Sequence, residues 1–278
     1  MYVITLSAIP PRFSSMQVTL ELLLAQRTKP EAVILYIPRA YDRFPEWDGT
    51  LPEVPKGVEI RQVEADLGPA TKVLPALREF AGQDMNILFC DDDIHYRDTW
   101  ARGFLNAAKR HPGCCIALAG QQVGKFHENA VPSVHMPRAV RQWVITDVEF
   151  HLRNRIERFH ADRAGARFHR VGRRIYLRGG YADVLQGYAG VMVRPEFFAP
   201  EVFNVPVEAR NVDDIWLSGM LAKAGTPIWV PGLMREPDVL ISGHQSDALH
   251  QTDVDGLGRN AQNRRAIGYL RDTFGVWR

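Results

Sequence analysis

The sequence predicts an α/β fold organised on a mostly parallel sheet, and three observations carry that expectation. Tyr2–Leu6 and Val33–Ile37 are short apolar runs rich in β-formers, and between them lies a helical pattern through Leu20, Leu23 and Leu24. Strand, helix, strand is the opening of a right-handed parallel βαβ unit. A further apolar run, Ile87–Cys90, is too brief and too uniform for a surface helix, and it stops at three consecutive carboxylates, Asp91-Asp92-Asp93. Finally, the 278 residues contain no internal repeat, low-complexity tract or linker, so a single domain with a proper core is expected.

The elements follow in order. After the first strand, Ser7-Ala8-Ile9-Pro10-Pro11-Arg12 is expected as a loop, because paired prolines exclude helix. Ser14 and Gln17 have the spacing of a capping box for the first helix, and Pro30 ends the connection to the second strand. The loop Pro38 to Pro55 is long, aromatic and proline-rich, and loops of that length in a domain are usually functional or mobile. Val58–Val63 alternates and reads as a third strand nearer an edge. Gly68-Pro69 fixes a turn after Asp66, Lys72 sits on it, and a helix starts near Pro75. Asp98 is the expected cap of the helix Thr99–Arg110, which His111-Pro112-Gly113 ends, and Cys115–Ala119 is the next strand. From Gly120 the pattern weakens until about Arg178, apart from a helix over Val148–Arg163. Ala182–Val193 reads as a strand, a glycine-bracketed turn and another strand, a pattern that a bulge would share. Asn211-Val212-Asp213-Asp214 precedes a helix over Ile215–Ala224 that Gly225 terminates. Pro227–Val230 is a last strand and Asn260–Gly268 a last helix.

Composition bounds the function. A formal net charge of +2 gives no global reason to expect nucleic-acid or membrane binding. Three cysteines, two of them adjacent at Cys114-Cys115, form no disulfide framework and no zinc spacing, which fits a reducing compartment. The N-terminus does not read as a signal peptide and no segment approaches ~20 apolar residues, so a cytoplasmic protein with no transmembrane segment is expected. The stretch Arg153, Arg155, Arg158, Arg163, Arg167, Arg170, Arg173, Arg174 and Arg178 is opposed only by Glu157 and Asp162. It is either a solvated face or a surface that attracts an anionic substrate or anionic lipid headgroups, the latter implying a peripheral position at the inner membrane face.

The chemistry-bearing residues gather at strand ends. In an open α/β sheet, ligands bind outside the carboxyl ends of the strands, which is where Asp91-Asp92-Asp93 falls. In extended chain Asp91 and Asp93 would point one way and Asp92 the other. Carboxylates held that close call for a cation, and a hard ion such as Mg²⁺ or Mn²⁺ completes its shell with water and substrate phosphate. Lys72 is either a phosphate contact or a solvated surface lysine. Asp213 is either the cap of its helix or, with Asp214, a source of a carboxylate free for chemistry. His244 and His250, each followed three residues later by an acid, are candidate ligands.

Taken together, these motifs resemble the GT-A-fold glycosyltransferases, the nucleotide-diphospho-sugar transferases. Asp91-Asp92-Asp93 after an apolar strand resembles the family's DxD motif. Gln186-Gly187-Tyr188-Ala189-Gly190 resembles its glycine-rich acceptor loop, and Val212-Asp213-Asp214 resembles its xED motif with Asp in place of Glu. A histidine further on resembles its C-terminal metal ligand. The resemblance implies a single Rossmann-like three-layer domain with a mixed sheet over residues 1–278, with 1–120 binding the nucleotide-sugar and 121–278 the acceptor. It further implies Mn²⁺ or Mg²⁺ on Asp91 and Asp93, with His250 ahead of His244 as third ligand. Ser7, Ile9, Pro10, Asp66, Lys72 and Asp92 would contact the donor, and Gly187, Tyr188 and Gly190 the acceptor. Asp214, or Asp213, would be the general base of an inverting transfer from a nucleotide-diphospho-sugar, UDP-linked by preference, to a glycan or glycolipid hydroxyl. Two other readings stand beside it. A DxD phosphohydrolase needs a hydroxyl residue where this chain has His95, and a non-catalytic nucleotide or sugar binder leaves the acids Asp213-Asp214 unexplained.

Overall fold

The first strand, β1 (Tyr2–Ser7), is buried along nearly its whole length and becomes the strand from which the sheet grows outward. The computed structural model describes residues 1–165, 171–239 and 258–278. On one side of β1, β2 (Val33–Pro38) pairs in parallel and carries β3 (Val58–Val63) beyond it. β2 is buried at every position, whereas β3 is half-buried along its length, as an edge strand should be. On the other side β4 (Asn86–Phe89) pairs in parallel with β1, Thr5 opposite Phe89. Chain connections therefore leave β1 in opposite directions, and the gap between β1 and β4 is the topological switch point of the sheet, where α/β proteins place ligands.

Beyond β4 the sheet becomes mixed. β6 (Cys115–Gln121) runs with the first four strands, and β10 (Val184–Val193) runs antiparallel between β4 and β6. β11 (Ile228–Val230) and β9 (Gly180–Ala182) complete the order β3-β2-β1-β4-β10-β6-β11-β9. The fold is thus α/β with a large, mostly parallel mixed sheet, compatible with a Rossmann-like architecture. Around it lie α1 (Gln17–Leu24), α2 (Leu74–Glu79), α3 (Trp100–Arg110), α5 (Asp213–Lys223) and α6 (Arg259–Phe274). α3 buries Trp100, Ala101, Phe104 and Ala107, one helical face. α5 is buried on nearly all sides between β10 and α6. Gly219 permits that contact, because a Cβ there would stand 2.5 Å from Leu270 Cδ1.

Two short ladders lie outside the main sheet, β5 (Ile94–His95) with β12 (Asp238–Val239), and β7 (Val140–Arg141) with β8 (Tyr176–Arg178). Between β7 and β8 runs α4 (Val148–Ala164), capped by Asp147 Oδ1 accepting the Phe150 N–H at 3.1 Å and ended by Gly165 in the left-handed conformation. Among the described residues no helix is long and apolar enough to cross a membrane.

Several local expectations need correction. The loop after β1 contains a short 3-10 turn, Pro10–Arg12. Ser14 and Gln17 form no capping box: Gln17 is the first residue of α1, and its amide donates to the Glu53 carbonyl. Asp98 does not cap α3 but pairs with Arg27 at 2.7 Å. Asp213 does not cap α5 either; Val212 holds that place, and Asp213 is the first helical residue. The last helix runs to Phe274 rather than Gly268. From Val184 to Val193 there is one strand and no turn. Its register jumps between the pairings Gln186–Ala119 and Val191–Ala117, so Gly187, Tyr188, Ala189 and Gly190 face the single residue Leu118.

Candidate functional site

The carboxyl ends of β1, β2, β3 and β4 open into one cavity of about 520 Å³, the size of an ordinary small-molecule site. Ser7 at the end of β1 and Ile9 after it, Asp66 and Lys72 after β3, Asp91, Asp92 and Asp93 after β4, Tyr188 from the β10 bulge, and Asp213 and Asp214 from α5 all line it. The described candidates therefore converge, although they come from positions more than 200 residues apart. Gly187 adjoins the wall. Pro10 and Gly190 are not part of the lining: Pro10 opens the 3-10 turn, and Gly190, at φ +102°, lies where a Cβ would run into the Trp100 ring. His244 and His250 lie outside the described residues.

The three aspartates do not adopt the alternating arrangement of an extended chain, because the backbone turns at Asp92 and Asp93. Arg12 Nη1 pairs with Asp92 Oδ1 at 2.8 Å and with Asp93 Oδ2 at 3.2 Å, while Asp91 Oδ1 accepts from Lys72 Nζ at 2.8 Å. Lys72 is no surface lysine. It is 7% exposed, and it also lies 3.1 Å from Asp213 Oδ2. Burial works against its charge, but Asp213, Asp91 and Asp214 outweigh that and hold its pKa well above the ordinary lysine value. A single buried ammonium thus ties the acids after β4 to the acids opening α5.

Carboxylates nevertheless exceed the cations. Burial pushes Asp92 up to about 7 against the opposing charge of Arg12, and burial followed by repulsion from Asp91 raises Asp93. Asp214 is likewise pushed up to about 7, by burial first and by Asp213 second, with Lys72 pulling the other way. Asp92 Oδ2 and Asp213 Oδ2 are buried without a hydrogen bond; Lys72 reaches the latter at ion-pair distance without hydrogen-bond alignment. Such a site is short of positive charge.

The bulge in β10 delivers backbone to the site. The Gly187 N–H donates to Asp214 Oδ1 at 2.9 Å, and a Cβ on Gly187 would stand 3.0 Å from Lys72 Nζ and 3.1 Å from that same oxygen. Glycine suits this close approach, since a side chain would make Lys72 or Asp214 give way. The carbonyls that the bulge removes from the ladder are satisfied by side chains, Tyr188 O by the Tyr96 hydroxyl at 3.3 Å and Ala189 O by Trp100 Nε1 at 3.0 Å. Side chains thus hold the bulge at both carbonyls.

Several lining residues were not singled out by sequence. Tyr41 and Phe44 form an apolar wall, edge-on at 6.1 Å, and Tyr41 donates to the Ala8 carbonyl at 2.6 Å. Asp66 fastens this wall, Oδ2 accepting from Asp42 N at 3.0 Å and Oδ1 from Gly68 N at 2.8 Å. The aromatic composition of the Pro38–Pro55 loop was the available signal. Arg12, Arg43 and Arg259 also line the cavity, and no local pattern marks them.

For a metal, the donors are all carboxylate oxygens, which suits a hard cation and not a soft one. Lys72 takes one oxygen of Asp91 and Arg12 one of Asp93, and both side chains remain partly exposed to the cavity, at 31% and 39%. Among the described residues no group of three or more His, Cys, Asp and Glu side chains is arranged to hold an ion alone. The set fits an ion that borrows ligands from substrate. Comparison with known proteins adds nothing to this geometry: no protein-family model matches the chain, and no curated protein does.

Proposed function

We propose that the chain is a metal-dependent glycosyltransferase that moves a sugar from a nucleotide-diphospho-sugar, by preference UDP-linked, to a hydroxyl of a glycan or glycolipid with inversion. One observation carries the reading: a cavity of about 520 Å³ at the switch point of an α/β sheet in which Lys72 links Asp91 to Asp213, beside Asp214. The apolar wall of Tyr41 and Phe44 suits a nucleobase, with Ser7, Ile9 and Asp66 around the ribose. Arg12 and Lys72 supply positive charge for the diphosphate. Asp91 and Asp93 would hold Mg²⁺ or Mn²⁺, which when bound supplies Lewis-acid stabilisation of the departing nucleoside diphosphate.

Asp214 is the base in this scheme and Asp213 its neighbour's counter-ion. Asp213 is 4% exposed and committed to Lys72, while Asp214 is the less buried of the two and keeps a pKa near 7. A general base works best when its pKa lies near the operating pH. The Gly187 N–H fixes the Asp214 carboxylate from one side, leaving its second oxygen to take the acceptor proton. Buried free thiols at Cys90, Cys114 and Cys115 suit a reducing, cytoplasmic setting.

Calorimetric titration of UDP, GDP and CMP, with and without Mn²⁺, tests the donor claim; indifference to every nucleotide with metal present would defeat it. Asp214→Asn is expected to keep donor affinity and lose about 10²–10⁴-fold in kcat. The acid limb of kcat/KM, inflecting near pH 7 in the parent, should vanish in this variant, since only the ionised carboxylate accepts a proton. Equal loss of affinity and rate would remove Asp214 from the role. Inorganic phosphate release in place of sugar transfer would instead indicate a phosphohydrolase.

A further inference from the structure

α4 has two apolar faces, and only one of them is used by the fold. Phe150 and Ala161 are its buried residues. Val148, Leu152, Ile156 and Phe159 are 75%, 57%, 48% and 56% exposed. At ~100° per residue these four occupy an arc of roughly 80°, and its centre lies about 180° from Phe150 and Ala161. A helix resting on a protein core directs its polar residues to that side; here the outward side is an apolar stripe. The loop leading into it adds Trp143 at 76% and Ile145 at 85% exposure.

The sequence through and beside α4 is basic. Between residues 138 and 178 the sequence carries eleven arginines against four acids. Of those acids, Asp147 caps α4 and lies 3.6 Å from Arg173, and Glu149 is held by Arg174 at 3.0 Å and by Arg235. Arg155 and Arg163 sit on α4 near the stripe, Arg163 over the Phe159 ring. A second copy of this surface would bring like charges together, whereas an anionic surface neutralises them.

We propose that α4 and the loop before it dock onto an anionic lipid bilayer, with the Val148-Leu152-Ile156-Phe159 stripe immersed at the headgroup boundary. In this orientation Arg155 and Arg163 stand at phosphate level. Helices of this kind lie in the interface plane, their aromatic and aliphatic residues entering and their basic residues flanking. Trp143 has the amphipathic ring that favours the same depth. The inference is independent of the reaction proposed above, since α4 contributes nothing to the cavity.

Flotation with vesicles tests it. The full chain should rise with phosphatidylglycerol–phosphatidylethanolamine vesicles and at least about tenfold less with phosphatidylcholine, the difference shrinking at high salt. Leu152→Asp with Ile156→Asp should reduce binding about tenfold or more while leaving the melting temperature unchanged, because neither side chain is part of the core. In Leu152→Cys the introduced thiol should be alkylated rapidly in solution and protected by anionic vesicles; the natural cysteines are buried. Failure of the parent chain to float, or equal flotation of the double variant, would overturn the proposal. So would slow alkylation without vesicles, which would mean that the chain itself covers the stripe, or a dimer that the double variant dissolves.

Discussion

In β2 every side chain from Val33 to Pro38 is buried, and Asp66, Asp91, Asp92 and Asp93, which follow the strands beside it, line the cavity. In α4 four apolar side chains face outward, with Arg155 and Arg163 beside them. The first region hides apolar surface and partly buries charge; the second exposes both. Apolar residues in the sheet are accounted for by the fold and its acids are not, whereas on α4 it is the apolar residues that the fold leaves unexplained. What a region buries against expectation, or exposes against expectation, is where function should be sought.

The largest expected effect sharpens the first half of that contrast. Lys72→Met removes the buried cation between Asp91 and Asp213 and should cost about 3–5 kcal/mol at pH 8, as breaking a buried ion pair does. The sign with pH follows from the raised pKa of Asp214. A group whose folded pKa is raised from 3.8 to about 7 contributes stability that is present below pH 4 and lost as pH rises through 7. Lys72 opposes that rise, so its removal deepens the loss, and the gap between variant and parent should be wider at pH 8 than at pH 5. Urea unfolding at the two pH values measures it. A gap that is equal at both would mean that these carboxylates do not sense Lys72. Added Mn²⁺ should stabilise the parent more as pH rises, because Asp93, whose pKa burial and Asp91 raise, must ionise to bind it.

Next in size is a core substitution. Leu35 lies in the middle of β2 and is fully buried, so Leu35→Ala should cost about 2–5 kcal/mol through lost transfer energy and the cavity left behind. It should do so with little dependence on pH, since its cross-strand neighbours are Leu6 and Ile60, which do not titrate. A strong pH dependence would blur the distinction between core and site.

How much of this could be read from the chain alone follows the range of the interactions. β1, β2, β3, β4, β6 and most of α3 and α5 were legible because their apolar periodicity is a local signal. The weak tract after Gly120 hid β7 and β8, short strands that exist only through pairing with residues distant in sequence. The three expected caps failed for one reason. Ser14–Gln17, Asp98 and Asp213 have the right local chemistry, yet Glu53, Arg27 and Lys72, each remote in sequence, compete for those side chains or their neighbours. In the site, the aspartates were visible as a cluster at a strand end, but their partner Arg12 stands 80 residues away along the chain. Nothing near Pro10-Pro11-Arg12 marks it as a counter-ion. The glycine-rich segment was recognised as unusual, and its form as a bulge required knowing the single residue Leu118 opposite it.

The smallest expected effect separates the two regions most cleanly. Leu152 is the same residue type as Leu35, on an element just as regular, yet it is 57% exposed. Its truncation removes little buried area and leaves no cavity, so Leu152→Ala should change stability by no more than about 0.5 kcal/mol. Leucine and alanine also lie close on the helix-propensity scale, which leaves the backbone of α4 indifferent to the exchange. Denaturant unfolding of Leu152→Ala beside Leu35→Ala, under one set of conditions, gives the comparison directly. A cost of 2 kcal/mol or more at Leu152 would mean that the stripe is packed against this chain in solution, and the outward face of α4 would then belong to the core. A cost near zero leaves the stripe unaccounted for by folding. Four apolar side chains in register across three turns would then require an explanation outside the folded monomer, and the arginines beside them indicate its charge.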